Sequence, residues 1–113
     1  MIGKISLSKS KLREFCKKNN YSIFTTEKKI VFKNIEPIDM AGKNDITFCR
    51  FNNKKGVNWS QKTNASLIFL PKEFKKIEKT IKADTKVFCD YPRLALLNLI
   101  EDFWENPTKN FIH

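Results

Sequence analysis

A chain of 113 residues with 22 Lys and Arg against 12 Asp and Glu carries a formal charge of +10. It is long enough for one self-sufficient core, and its charge favours anionic partners without choosing among nucleic acid, acidic headgroups and phosphorylated metabolites. Its lone histidine, His113, and three scattered cysteines, Cys16, Cys49 and Cys89, exclude a zinc site of about four converging N or S ligands.

Three unpaired thiols suit a reducing compartment and predict a cytoplasmic protein. No apolar run approaches the ~20 residues of a membrane span, and the first residues lack the continuous apolar stretch of a signal peptide. The lysine excess, in a chain also rich in Asn, Ile and Phe, is equally what an AT-rich coding sequence produces, so charge by itself assigns nothing.

Ser8 and Ser10 are candidate N-caps for a helix to about Lys18, in which Leu12, Phe15 and Cys16 fall at i, i+3, i+4 and form a buried stripe. YSIFTT and KKIVFKNI predict two short strands with a polar turn near Glu27 and Lys28 between them. EPIDMAGKND, punctuated by Pro37 and Gly42, predicts a loop. DITFCRF is the next strand; its alternation puts Ile46, Phe48 and Arg50 on one face and Thr47, Cys49 and Phe51 on the other. After the loop 52–56, VNWSQKT predicts a short helix, and ASLIFL, apolar throughout, a strand covered on both faces.

Pro71 suits the first position of a helix reaching about Lys82, with Phe74, Ile77 and Ile81 inward and Lys72, Lys75, Lys76, Lys79 and Lys82 outward. TKVFCD predicts a strand. Pro92 opens a last helix whose Leu96, Leu97, Ile100, Phe103 and Trp104 imply burial on more than one side. The order α-β-β-β-α-β-α-β-α predicts a small three-layer α/β domain, a mixed or mostly parallel sheet flanked by helices.

No Ser/His/Asp set, Cys/His pair or glycine-rich phosphate loop is present, and the three glycines lie far apart. Asp39, Asp45 and Asp90 fall at predicted strand edges, where carboxylates serve turns and caps more often than catalysis. The sequence therefore predicts no catalytic residue, no metal ligand and no cofactor: the domain holds something rather than reacting with it.

Four stretches, in order along the chain, resemble one family. IEPIDMAGKNDITF (35–48) is similar to the I-x-x-[IL]-x-x-A-x-x-x-D-I-[ST]-F stretch in the N-terminal domain of UDP-3-O-acylglucosamine N-acyltransferase. TNASLIFL resembles that family's T-x-A-x-x-[VI]-[IL] strand, and VFCDYPRLALLNLIEDFW its V-x-x-x-x-P-[RY]-x-A-[FL]-x-x-[LI]-[LI]-x-x-F strand and helix. FIH (111–113) is similar to the I-H-P-T-A that opens a left-handed β-helix of hexapeptide repeats.

The resemblance implies that residues 1–106 form a uridine-binding α/β domain, similar in shape to the first domain of Mur ligases. It implies that 107–113 begin the linker into a β-helix that trimerises, carries the catalytic histidine and receives the acyl group from acyl carrier protein. His113 matches the start of those repeats, not the catalytic position. The domain would then hold the nucleotide of a UDP-sugar for an acyltransferase of lipid A or cell-envelope glycan biosynthesis, non-catalytic by itself. The full-length protein would be a homotrimer and this piece a monomer.

In the family the loop after the D-I-[ST]-F strand reads roughly F-x-x-N-P-K-Y; the Phe and Tyr sandwich uracil and the Asn hydrogen-bonds it. Phe48 matches the first Phe. FCRFNNKK then departs from the pattern: it has neither Pro nor Tyr, and strict counting puts Phe51 at the Asn and Lys54 at the Tyr. A shifted loop makes Asn52 or Asn53 the amide and Phe51 or Trp59 the second stacking surface.

The chemistry of 45–56 points the same way. Ligands of open α/β sheets bind outside the carboxyl ends of strands, an aromatic face contributes ~1–3 kcal/mol to stacking on a base, one Asn offers both donor and acceptor, and Arg50, Lys54 and Lys55 suit a diphosphate. The expected site is Phe48, Arg50, Phe51, Asn52, Asn53 and Lys54. The competing reading makes Phe48 and Cys49 core, Arg50 and the lysines a solvated edge, and Trp59 a partly buried anchor. The lysines of 71–82 are then a solvent face or a landing surface for an acidic partner such as acyl carrier protein. A different class, a small basic nucleic-acid-binding module, is motivated by the charge and by Phe48, Phe51 and Trp59, but neither an RNP pattern nor a helix-turn-helix signature accompanies them.

Overall fold

The computed structural model describes residues 3–103; Trp104 and the linker expected at 107–113 lie outside the described residues. The elements are β1 (Gly3–Ser8), α1 (Lys9–Asn19), β2 (Ser22–Thr25), β3 (Val31–Ile35), β4 (Asp45–Phe48), α2 (Lys54–Lys62), β5 (Leu67–Pro71), a 3-10 helix (Lys72–Thr80), β6 (Thr85–Cys89) and α3 (Pro92–Phe103). The strand β1 is an addition to the expected order. With only Ile5 and Leu7 to alternate before the Ser8 cap, its period was too short to read. It pairs antiparallel with β3 and buries both side chains.

Ser8 ends β1 and starts α1 in one residue, its side chain accepting from the Lys11 amide at 3.3 Å. Asn20 closes the helix in the left-handed region, φ 59°, with its amide donating to the carbonyls of Cys16 and Lys17. Leu12, Phe15 and Cys16 are buried, as their spacing predicts.

The six strands lie in the order β1-β3-β4-β5-β6-β2. The central strands β3, β4, β5 and β6 are parallel, and β1 and β2 join the two edges antiparallel. Alternation along β5 divides the core. Leu67 and Phe69 join Leu12, Phe15, Ala95, Leu96 and Leu99 under α1 and α3, while Ile68 and Leu70 join Phe74 and Ile81 on the opposite face, where Val57 of α2 also packs. The result is the three-layer α/β domain with a mixed sheet that the sequence predicts. Burial of each large side chain contributes about 1.5–3 kcal/mol, which makes the doubly covered β5 the centre of stability.

Three local expectations need correction. The last helix is buried on one side only: Ala95, Leu96 and Leu99 face the sheet, while Leu94 and Leu97 are 51% and 50% exposed. An outer layer has the sheet on one face and, among the described residues, no layer on the other, and periodicity alone does not count layers. The 71–82 segment is a 3-10 helix rather than an α-helix, broken at Ile77 (φ −111°, ψ 17°), and Pro71 ends β5 instead of opening the helix. Finally, DITFCRF stops being a strand at Phe48, so Arg50 and Phe51 leave the sheet. No helix among the described residues is long and apolar enough to cross a membrane.

Candidate functional site

β3 and β4 are parallel neighbours joined without a helix. The connection 36–44 must therefore leave the carboxyl end of β3 and return to the amino end of β4, and it reverses in a turn in which the amides of Met40 and Ala41 both donate to the Pro37 carbonyl at 2.9 Å. The chain leaving β4 rises beside it. The Cys49 amide still donates to Phe69 of β5 at 2.9 Å, and its thiol turns inward towards the carbonyls of Phe51 (3.4 Å) and Gly56 (3.5 Å).

That clamp pulls the first turn of α2 onto the loop. Gly56 lies so close that an added Cβ would stand 1.8 Å from the Phe51 carbonyl oxygen; only a residue without a side chain fits. Asn53 caps α2, its Oδ1 accepting from the Gly56 amide at 3.1 Å.

The two loops and α2 enclose a cleft of about 400 Å³ lined by Pro37, Ile38, Asp39, Phe48, Cys49, Arg50, Phe51 and Trp59. This lies within the ~300–1,000 Å³ of small-molecule sites and, like them, is mostly apolar with a few polar groups. Phe48 is half-buried: it packs against the core under α1 and α3 and also lines the cleft, so it is a core residue that borders the cleft. Phe51 is half-buried too, with the Arg50 guanidinium 4.9 Å and the Lys55 ammonium 5.1 Å from its ring centroid. Both cations stand beside a wall of the cleft, where an anionic group on a bound ligand would meet them.

Of the expected site residues, Phe48, Arg50 and Phe51 come together here, with Trp59 as a further aromatic wall. Asn52, Asn53 and Lys54 are not among the lining residues. Asn52 donates through Nδ2 to Glu73 at 3.1 Å, Asn53 is the cap, and Lys54 is the exposed first residue of α2. The amide that a uracil edge would ask for is thus engaged in holding the loop.

The three edge carboxylates do separate work. Asp45 accepts from the Gly42 amide at 2.8 Å, Asp90 pairs with Lys72 at 2.9 Å, and Asp39 lines the cleft. Its place there depends on β3 and β4 being adjacent, which no local pattern announces. The described residues contain no cluster of His, Cys, Asp and Glu able to hold a metal ion. Cys16 and Cys89 are buried, and burial pushes both thiols up to about 12, so neither is a ready nucleophile at neutral pH. No protein-family model matches the chain, and no curated protein matches it either.

Proposed function

We propose that this domain recognises the uridine nucleotide of a UDP-sugar and presents it to an acyltransfer centre carried by another segment, as in UDP-3-O-acylglucosamine N-acyltransferases. The observation that carries the reading is the cleft at the carboxyl ends of β3 and β4, walled by Phe48, Phe51 and Trp59 and bordered by Arg50. Aromatic walls suit a planar base, and a guanidinium suits the diphosphate. The order of motifs along the chain supports the same assignment to lipid A or cell-envelope glycan synthesis in the cytoplasm. In that setting the lysines of the 3-10 helix offer acyl carrier protein a positive surface, and the longer protein assembles as a homotrimer.

Stacking with one charged contact gives micromolar to millimolar affinity, enough for a domain that positions a substrate. Titration of the protein with UMP, UDP and UDP-GlcNAc, followed by backbone amide shifts, is expected to move resonances of 37–39, 48–51 and 59 together. Absence of any response at millimolar ligand sinks the proposal. Oligonucleotide binding that collapses with salt, without a response to mononucleotides, would instead favour a basic nucleic-acid-binding module, the reading that the charge of +10 supports.

A further inference from the structure

We propose that Asp39 reads the sugar: its carboxylate accepts the 2′,3′-diol of the ribose, so the cleft discriminates ribonucleotides from deoxyribonucleotides. The inference rests on the nucleotide reading above and assigns the specificity-determining residue of that site. Among the residues lining the cleft, Asp39 is the one acidic side chain and Arg50 the one basic side chain. The other two edge carboxylates are occupied, Asp45 by the Gly42 amide and Asp90 by Lys72. Asp39, exposed at the rim, engages no hydrogen-bond or ion-pair partner among the described residues.

The choice of ligand group follows from what a carboxylate can do. It is an acceptor only. The hydrogen-bonding edge of uracil offers one N–H between two carbonyl oxygens, so an aspartate facing it gains one bond and opposes two lone-pair-bearing atoms. The amides that suit such an edge, Asn52 and Asn53, are held by Glu73 and by the α2 cap. A vicinal diol instead offers two O–H donors at a spacing that two carboxylate oxygens accept together, and an acidic residue on a ribose hydroxyl is how dinucleotide-binding α/β folds select their sugar. Ring faces for a base, an acceptor for a diol and a cation for phosphate are what one ribonucleotide needs, and this cleft supplies all three.

The test measures the affinities of UMP, dUMP and GMP for the unaltered protein, Asp39→Asn and Asp39→Ala. Hydrogen bonds to a charged group are worth ~1.5–3 kcal/mol, so UMP is expected to bind the unaltered protein about tenfold or more tightly than dUMP. Asp39→Ala loses two hydrogen bonds to the ribose of UMP but only the 3′-OH bond to dUMP, so it should weaken UMP about tenfold more than dUMP and bring the two nucleotides to the same affinity. Asp39→Asn, which keeps one acceptor, should fall between. Asp39 is exposed, so unchanged melting temperatures will show that both variants fold.

Equal binding of UMP and dUMP by the unaltered protein overturns the inference and leaves the nucleotide reading standing. Preference for GMP that disappears in Asp39→Ala also overturns it, because the carboxylate would then be reading the paired N–H groups of guanine. Absence of binding by every nucleotide overturns both.

Discussion

The carboxyl ends of β3 and β4 border a cleft of about 400 Å³, and those of β5 and β6 border another of about 320 Å³. Position and size nearly match, yet the chemistry differs. The first has three aromatic walls and two opposite charges, Asp39 and Arg50, with no salt bridge to any described residue. The second also has three aromatic residues, Tyr21, Phe88 and Tyr91, beside Asn19, Asn20, Ser22, Cys89 and Leu94, but its charges, Lys72 and Asp90, are bonded to each other at 2.9 Å in open solvent. A sheet edge yields a hollow wherever parallel strands end. A binding site needs, in addition, charge left unsatisfied beside walls that exclude water.

The largest way to break the contrast is to spoil the first cleft without replacing any residue that lines it. Gly56→Ala places a methyl group 1.8 Å from the Phe51 carbonyl oxygen and 3.1 Å from the Cys49 sulfur. Neither backbone nor clamp can give way cheaply, so the loss is expected to be about 3 kcal/mol or more, a fall in melting temperature of roughly 10 °C or more. Gly42→Ala is the control: its Cβ meets nothing nearer than Asp45 Oδ2 at 3.9 Å. Thermal denaturation of the two variants side by side decides the matter, and equal melting points would remove the clamp from the account of this loop.

Next in size is the aromatic wall. Phe51→Ala is expected to weaken UMP binding about tenfold, the loss of one stacking surface. Tyr91→Ala, which removes the 70% exposed one of the three rings lining the second cleft, should leave the affinity where it was. A comparable loss from Tyr91→Ala in the same titration would mean that the wrong hollow has been singled out.

How much of this was legible beforehand varies by residue. The alternation of DITF put Phe48 in a strand, though FCRF gave no sign that the strand stops there, and the unbroken apolar run of β5 announced two covered faces. Asn53 was readable only as a polar loop residue beside an aromatic, because Gly56 masks the start of α2 and moves the apparent helix start to Val57. With the helix beginning at Lys54, Asn53 becomes a cap. Asp39 was readable as a turn carboxylate and nothing more, since the residues of β4 and beyond that share the cleft with it, Phe48 to Trp59, are 9–20 residues away in sequence and meet it only through strand order. The exposed side of α3 escaped for the same reason: composition shows that Leu94 and Leu97 are apolar, and only the layer count shows that no described element lies over them.

Asn53 offers a finer discrimination. Asn53→Ala removes the cap and should cost about 1 kcal/mol, whereas Asn53→Ser, itself a good cap, should cost little. Neither should change UMP affinity more than the loosened loop requires, and Asn53→Ser should not change it at all. Loss of binding in Asn53→Ser at preserved melting temperature would make Asn53 a base-reading amide and contradict the division of labour described above.

The smallest effects belong to the second cleft. The Lys72 ammonium is held above its ordinary value by its hydrogen bond to Asp90 and then by the charge of that carboxylate. A raised folded-state value means that any stability from the pair is complete below the ordinary lysine pKa near ~10.4 and disappears only as pH climbs through the raised value. Across pH 6–9 the pair is therefore constant, and its exposure leaves it open to screening by salt. Lys72→Ala and Asp90→Asn should accordingly leave both melting temperature and UMP affinity unchanged at neutral pH, and added salt should not separate them from the unaltered protein. A drop in UMP affinity in Lys72→Ala alone would bring the second cleft into the site, with its lysine taken from Asp90 by the ligand's phosphate; a drop in neither variant leaves the unpaired charges of the first cleft as the ones that matter.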